Sequence, residues 1–192
     1  MTASMTAGAA GVRYAIDPRA SQFTVQAFAS GLISAIAHSP KIAIRDWTGV
    51  AEMASAQLER ASLKVRVKTS SLEVLDELPD SERSELHRVM RREVLETERY
   101  PEVAYDAEVA AEKMKDDQYR LRIHGRLGLH GVSHEQDVVA QAHVGVDSVR
   151  VHGSFTLLQS DYNIRIASIA GGTLKLQDEL KFYFYVVARK MD

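Results

Sequence analysis

Three histidines lie close together in the sequence, at His124, His130 and His134. Neutral imidazoles are common zinc ligands, so a metal site is the first chemistry to consider. His124 and His130 share one face of an alternating segment, and six residues of extended chain separate them by about 20 Å. That distance is too long for one ion, and His134 lies beyond the following turn. We therefore predict no metal site.

Catalysis has few other candidates in this chain. Asp161 could form an acid/base pair with His152 or Asp178, but any protein of this composition offers such pairs. The sequence contains no nucleophile-elbow serine, no phosphate-binding glycine loop and no helical His-Glu pair of the metalloprotease type. We therefore predict a protein that is not an enzyme, with no catalytic residues and no cofactor.

The segment from Gln118 to Gly131 shows how the chain is organised. Its apolar residues occupy one parity and its Arg and His residues dominate the other, which is typical of a strand with one wet face and one dry face. Similar runs cover residues 13–16, 22–29, 41–47, 60–69, 103–109, 137–146, 150–159 and 180–189. Roughly eight antiparallel strands can close into a barrel. The sequence thus predicts an all-β fold, an eight-stranded antiparallel β-barrel.

One segment departs from this alternation. After Pro79, the residues Leu86, Met90 and Val94 fall on a single helical stripe, and Asp80 is a suitable N-cap. We expect one α-helix packed at a barrel end, with these three apolar residues acting as a lid. The arginines of the helix could meet an anionic head group or form a solvated face: Arg83, Arg88, Arg91 and Arg92.

Composition limits the possible functions. The 192 residues are 45% hydrophobic and carry a formal net charge of −2, so we predict no nucleic-acid partner. Cysteine is absent, which excludes disulfides, thiolate zinc sites and a cysteine nucleophile. No window reaches the roughly 18 apolar residues of a membrane helix. Without a secretory signal the chain as written is expected to be cytoplasmic, or periplasmic if a leader had been removed. We predict a flexible segment over residues 1–12 and a single domain over residues 13–190.

Several short motifs occur in an order that is similar to that of a known family. They are Tyr14-Ala15-Ile16-Asp17-Pro18 with Ser21-Gln22-Phe23, Tyr100-Pro101-Glu102-Val103, Leu127-Gly128-Leu129-His130-Gly131-Val132-Ser133, Asp161-Tyr162-Asn163-Ile164 and Gly171-Gly172-Thr173-Leu174-Lys175-Leu176-Gln177-Asp178-Glu179-Leu180. The chain resembles the YceI-like polyisoprenoid-binding family. The resemblance implies a lipocalin-like barrel that holds a long isoprenoid or quinone-type chain in its lumen, often as a homodimer. The chain departs from the family at Gln159 and Asn163, where an Arg ahead of an aromatic-Gly pair is common.

Residue size suggests what fills the barrel. Many inward candidates are small, which favours a cavity over solid packing, although the same residues could form a plain hydrophobic core. Gly125 lies among Leu121, Ile123 and Leu127, and we expect its missing side chain to leave room. The predicted ligand-binding residues of the lumen are Phe23, Val25, Val65, Val67, Tyr105, Leu121, Ile123, Gly125, Leu127, Phe155, Phe182 and Phe184.

We therefore predict a lipid-binding protein that sequesters or carries a long apolar chain as its ligand, namely a polyisoprenoid, an isoprenoid quinone or a fatty-acyl lipid. A packed barrel with a structural or interaction role is the alternative. Its contact surface would be the basic outer face formed by Lys64, Arg66, Lys68, Arg120, Arg122 and Arg126. A barrel enzyme is a third possibility, for which Tyr105 is the obvious polar group in the lumen.

Overall fold

The structure is a computed structural model that describes residues 11–30, 39–53, 60–165, 168–169 and 174–191. Its strands are β1 (Val12–Ile16), β2 (Gln22–Ser30), β3 (Lys41–Ile44), β4 (Trp47–Met53), β5 (Arg60–Lys68), β6 (Leu72–Val74), β7 (Glu102–Lys115), β8 (Gln118–Leu129), β9 (Val132–Val144), β10 (Ser148–Leu158), β11 (Ser168–Ile169) and β12 (Leu174–Lys190). Helix α1 (Asp80–Val89) continues as a π-helical turn (Met90–Val94), and short 3-10 turns cover Thr69–Ser71 and Ser160–Tyr162. Most of the predicted N-terminal flexible segment lies outside the described residues, and the predicted domain division stays a prediction.

Eight strands form a closed antiparallel ring. The hydrogen-bonded order is β1-β4-β5-β7-β8-β9-β10-β12, and β12 pairs again with β1. The β8–β9 hairpin turns at His130 and Gly131, which have φ of 52° and 76°, the left-handed backbone that a two-residue hairpin turn requires. The predicted eight-stranded antiparallel barrel is confirmed.

At three neighbouring positions of the barrel wall, two shorter strands take the place of one long strand. Strands β1 and β2 pair with successive parts of β12, while β3 and β4 meet at Arg45-Asp46, and β5 and β6 are separated by the turn Thr69–Ser71. The single strand predicted over residues 41–47 is therefore two strands, and the second, β4, runs on to Met53. Sequence reasoning missed this extension because the small residues Gly49 and Ala51 weaken the alternation there.

Helix α1 lies against the β6 side of one barrel end. It begins at Asp80 directly after Pro79, and Asp80 is its first residue rather than the side-chain cap that we expected. Its carboxylate still lies at the positive end of the helix dipole. The backbone N–H of Val74, on the edge of β6, donates a 3.1 Å hydrogen bond to Nε2 of His87. The single helix predicted at a barrel end is present.

The core follows from the alternation of side chains along the strands. Toward the α1 end, Leu127, Leu129, Leu157, Tyr162 and Ile164 form a buried cluster against which Val94 and Leu95 pack. Toward the opposite end of the barrel, a second cluster contains smaller residues, among them Ala107, Ala140, Ala142 and Ala188. A third cluster consists of Val25, Ile44, Trp47 and Val67. Residues of all three clusters line the central lumen.

Candidate functional site

The lumen contains a cavity of about 330 Å³, within the range of small-molecule sites. The inward faces of the barrel strands line it, and apolar residues of α1 and its π-helical turn add to the lining. Among the described residues, none that lines the cavity is an Asp, Glu, Lys, Arg or His. The site is therefore an uncharged hydrocarbon surface.

The structure gathers nearly all of the predicted lumen residues around this cavity. Those that line it are Phe23, Val25, Val65, Val67, Tyr105, Leu121, Ile123, Leu127, Phe155, Phe182 and Phe184. Period-two alternation was enough to select them, because parity decides which face of a strand points inward. Their role in binding a ligand stays a prediction.

Gly125 differs from these residues. It is buried on the inward side, yet it does not line the cavity. A Cβ at this position would lie 2.5 Å from the Cβ of Ala107 and 2.7 Å from Cζ of Tyr105. The ring of Tyr105 thus occupies the room that we expected at Gly125.

Tyr105 is anchored at its tip. Its hydroxyl donates a 2.7 Å hydrogen bond to the backbone carbonyl oxygen of Gln136. Burial, with a smaller contribution from the charge of Asp137, raises the pKa of Tyr105 to about 12. The phenol is therefore neutral near pH 7, and its partner is a carbonyl that cannot exchange protons with it. This arrangement positions a ring and does not resemble an acid/base pair.

Aromatic residues form the centre of the lining. The Phe23 ring makes edge contacts with Trp47, Phe182 and Phe184, and the rings of Phe155 and Phe182 stack at 4.7 Å. Trp47 is only 4% exposed. Sequence reasoning missed it as a lumen residue because the predicted strand ended there, although its parity within β4 could have identified it.

Three polar side chains of the lining, Thr69, Gln136 and Gln159, are hydrogen-bonded to the backbone. Thr69 Oγ1 donates to the carbonyl of Tyr100 at 2.8 Å, and Gln159 Nε2 donates to that of Gln177 at 3.0 Å. Gln136 Nε2 donates to a neighbouring carbonyl at 3.1 Å. These donors are satisfied without a ligand, so the site is suited to apolar contact rather than to hydrogen bonding.

The predicted lid residues also face the lumen. Leu86, Met90 and Val94 all line the cavity, and Met90 is buried. On the other side of the helix, Arg88 pairs with Glu85 at 2.6 Å and with Glu93 at 2.9 Å. This arginine is thus engaged in a surface network of the helix itself.

The three histidines have separate partners. His124 lies beside Asp137 on the outer surface, whereas His130 Nδ1–H donates to the carbonyl of Tyr162 at 3.2 Å. His134 bonds the carbonyl of Asp161 at 2.9 Å. In the part of the chain that the structure describes, no three potential metal ligands come together.

The outer face that we predicted to be basic contains acids between its cations. Both oxygens of Asp106 accept hydrogen bonds from Nη2 of Arg66, at 2.9 and 3.0 Å. Lys68 lies 2.6 Å from Asp46. Arg120 and Arg122 each lie 3.9 Å from Glu112, and Lys64 and Arg126 flank Asp106 in the strand register. Because acidic β7 separates basic β5 from basic β8, this face is a mixed-charge surface and not a basic patch.

A family model described as a YceI-like domain matches residues 14–188. The chain belongs to the YceI-like family. No curated protein sequence matches it. Among solved structures, this YceI-like chain is similar to BcnA of Burkholderia cenocepacia, with a TM-score of 0.66, 13% identity, and coverage of 90% of this chain and 98% of that one.

Two further structures share the fold. A domain from Saccharophagus degradans, described as a polyisoprenoid binding domain implicated in plant cell wall breakdown, has a TM-score of 0.66 and 15% identity, with coverage of 92% and 97%. The Campylobacter jejuni YceI protein has a TM-score of 0.56 and 17% identity, with coverage of 81% and 88%. Helices of this YceI-like chain, as far as they are described, are too short or too polar to cross a membrane.

Proposed function

We propose that this YceI-like protein reversibly binds a long apolar chain in its lumen, and so sequesters or carries it without chemical change. The supporting observation is the cavity of about 330 Å³ whose described lining residues carry no charge. The ligand would be a polyisoprenoid, an isoprenoid quinone or a fatty-acyl lipid. A structural relative described as a polyisoprenoid binding domain has the same fold, which agrees with this choice.

Hydrophobic burial supplies the affinity in this proposal. Each methylene transferred from water into the lumen contributes about 0.8 kcal/mol, before the cost of ordering the chain. An ionised end group would lose its hydration without gaining a partner in the lining, and such burial is costly. The lumen therefore accommodates the hydrocarbon part of the ligand.

Helix α1 acts as the lid in this proposal. Leu86 of α1, with Met90 and Val94 of its π-helical turn, covers the cavity, yet within Asp80–Val89 no residue is fully buried. The weaker packing of this element supports opening at the α1 end, because segments with few buried contacts open at the lowest cost in free energy.

We also propose that the protein is a homodimer. Tyr183 and Tyr185 point outward from β12 and are each 43% exposed. Their register partners on β10, Ser154 and His152, carry no fixed charge. A two-fold interface brings the same patch of both copies together, and aromatic residues such as these are enriched at protein interfaces. Sedimentation of the wild type and of Tyr183→Lys tests this: we expect a dimer and a shift to monomer, whereas a monomeric wild type contradicts the proposal.

The alternative to a lipid carrier is a packed barrel with a structural or interaction role, and two tryptophan variants distinguish them. Val65→Trp fills the lumen, and Lys64→Trp places the same ring on the outer face as a control. For a carrier, Val65→Trp abolishes lipid uptake at nearly unchanged stability, whereas in a packed barrel overpacking costs about 1–3 kcal/mol of stability.

Lipid extraction is the direct experiment. The protein is purified from bacteria, extracted with organic solvent and analysed by mass spectrometry, with Val65→Trp processed in parallel. We expect a long-chain lipid in stoichiometric amount from the wild type and little from the variant. In a second assay, ubiquinone is titrated while the fluorescence of Trp47, the single tryptophan, is recorded. Absence of lipid and no response to any added chain would refute the proposal.

A further inference from the structure

One hydrogen bond joins helix α1 to the barrel wall. The backbone N–H of Val74 donates to Nε2 of His87, as described above, and β6 is an edge strand that pairs with β3 alone. Within the described residues, no other hydrogen bond or ion pair links residues 80–94 to a strand. The bond between Val74 and His87 is therefore the polar contact that holds α1 against β6.

The direction of this bond fixes the protonation state of the ring. A backbone N–H can only donate, so Nε2 of His87 is the acceptor and carries no proton. The ring is therefore neutral in the closed arrangement. Protonation turns both ring nitrogens into donors, so two N–H groups then face each other and the hydrogen bond to Val74 is lost.

Val74 has no substitute acceptor while α1 stays in place. The residue is only 1% exposed, so water does not reach its N–H. A buried N–H without an acceptor costs free energy comparable to a lost hydrogen bond. Movement of α1 away from β6 lets water accept this bond instead. Protonation of His87 therefore favours the open lid.

Charged groups lie near His87 on β6 and on the helix. The hydrogen bond from Arg45 lowers the pKa of Glu73 on β6, with smaller contributions from the charges of His87 and Arg83. Glu73 is therefore ionised throughout pH 5–8, the range in which histidines ordinarily change charge. Arg83 lies one turn before His87 and Arg91 one turn after it. Arginine stays protonated in proteins, so among these groups the charge of His87 is the one that changes.

The opposite end of the lid gains a contact on protonation. Glu96 follows the π-helical turn, and its carboxylate lies 3.6 Å from Nε2 of His130. The His130 side chain is 8% exposed, and this nitrogen has no hydrogen-bond partner among the described residues. A proton on Nε2 gives Glu96 an ion pair. Acid thus strengthens this end of the lid while it frees the other, so α1 moves outward with Glu96 as its fixed point.

We propose that His87 makes lipid release depend on pH: the neutral ring holds α1 against the edge of β6, and its protonation frees α1 and opens the lumen. This inference rests on the proposed function and adds regulation to it. The bound chain is retained near neutral pH and released in mild acid.

The first test measures release at pH 8 and pH 5. The protein is loaded with ubiquinone and mixed with phosphatidylcholine vesicles, and release is followed by the recovery of Trp47 fluorescence. Neither ubiquinone nor phosphatidylcholine changes its net charge in this range, so a difference in rate comes from the protein. We expect the wild type to release ubiquinone about fivefold faster at pH 5, the factor that corresponds to one hydrogen bond.

Three variants assign this response to His87. The amide oxygen of His87→Gln can accept from the N–H of Val74 but does not titrate, so we expect slow release at both pH values. His87→Ala has no acceptor and should release rapidly at both. His143→Gln, on the outer face of β9 beside Asp117, is the matched control and should keep the response of the wild type. A full acid response in His87→Gln overturns the inference.

A second readout needs no lipid. Hydrogen exchange of the Val74 amide, corrected for the intrinsic effect of pH, gives the opening equilibrium at this contact. The amide of Ile123, paired on both sides within β8, reports global unfolding. We expect opening at Val74, relative to Ile123, to rise about fivefold from pH 8 to pH 5 in the wild type and to stay constant in His87→Gln.

Equal opening at Val74 at both pH values in the wild type refutes the inference and leaves the proposed function intact. A wild type that binds no ubiquinone or other long chain at pH 8 refutes the proposed function, and exchange at Val74 then decides the inference alone. If His87→Gln does not fold, His87→Ala replaces it, since its exchange at Val74 should be equally fast at both pH values.

Discussion

The hydroxyl of Tyr105 donates a 2.7 Å hydrogen bond to the carbonyl of Gln136, although these residues belong to β7 and β9, which are not neighbours. Strand β8 lies between them and presents Gly125 beneath the ring. A side chain on one strand thus spans a second strand and is fixed on a third. Three neighbouring strands, β7, β8 and β9, therefore fix the position of the ring.

Removing the hydroxyl tests how much this anchor contributes. Tyr105→Phe keeps the ring over Gly125 but leaves the carbonyl of Gln136 without this donor. We expect a loss of about 1 kcal/mol in the free energy of unfolding, measured with urea. Thr48→Val, which removes an exposed hydroxyl on β4, serves as the control and should be nearly neutral. Equal stability of the two variants would show that the anchor contributes nothing.

Alkaline pH should weaken the fold through the same residue. The folded protein holds the pKa of Tyr105 at about 12, while an unfolded tyrosine titrates near pH 10. The folded state therefore binds the proton more tightly, so this contribution is complete below about pH 10 and is lost as the pH rises toward 12. Urea unfolding across this range should show a steeper loss of stability in the wild type than in Tyr105→Phe. Parallel curves would contradict the assignment.

Acid should weaken the junction between β1 and β12. The side-chain hydrogen bond from Arg189, 2.9 Å from Asp17 Oδ2, lowers the pKa of Asp17, and the backbone N–H groups of Arg19 and Ala20 add to the effect. A lowered pKa gives stability that is present above the unfolded value near pH 4 and is lost as the pH falls through the folded value. Asp17→Asn should flatten this acid limb of the stability curve. The control Glu98→Gln, at an exposed carboxylate, should leave it unchanged.

Lipid release should depend on the contact between α1 and β6. His87→Ala removes the acceptor for the N–H of Val74, a bond worth about 1 kcal/mol, so release of bound lipid should accelerate about fivefold. Arg91→Ala, which changes an exposed residue on the adjoining π-helical turn, is the matched control. The release rate can be followed by transfer of a fluorescent lipid to acceptor vesicles. Identical rates for both variants would argue against α1 as the lid.

Alternation in the sequence was sufficient to predict the barrel and most of its lining. Parity along β5 placed Val65 and Val67 inward, and the change to a helical period located α1 with Met90 toward the lumen. These are local properties, since each depends on residues that are neighbours in the chain.

Relationships between strands could not be predicted in this way. Gly125 was expected to leave space because nothing in its own segment reveals that Tyr105 leans across it from β7. Likewise, the basic residues of β5 and β8 seemed to share a patch until their register with β7 placed Asp106 between Lys64 and Arg126. The space at Gly125 and the charge of the outer face both depend on which strands are paired and on the register of each pair.

The closure of the ring by β12 governs how the molecule can fold. Tyr14 pairs with Lys190, and Phe23 with Phe184, so β1 and β2 each find one of their two partner strands among the last residues. Contacts so distant in sequence carry a large loop-closure entropy and slow the folding reaction. During synthesis, β1 and β2 therefore wait with an unpaired edge until β12 has left the ribosome. Hairpins such as β7–β8 can form earlier, and closure of the barrel is the last step.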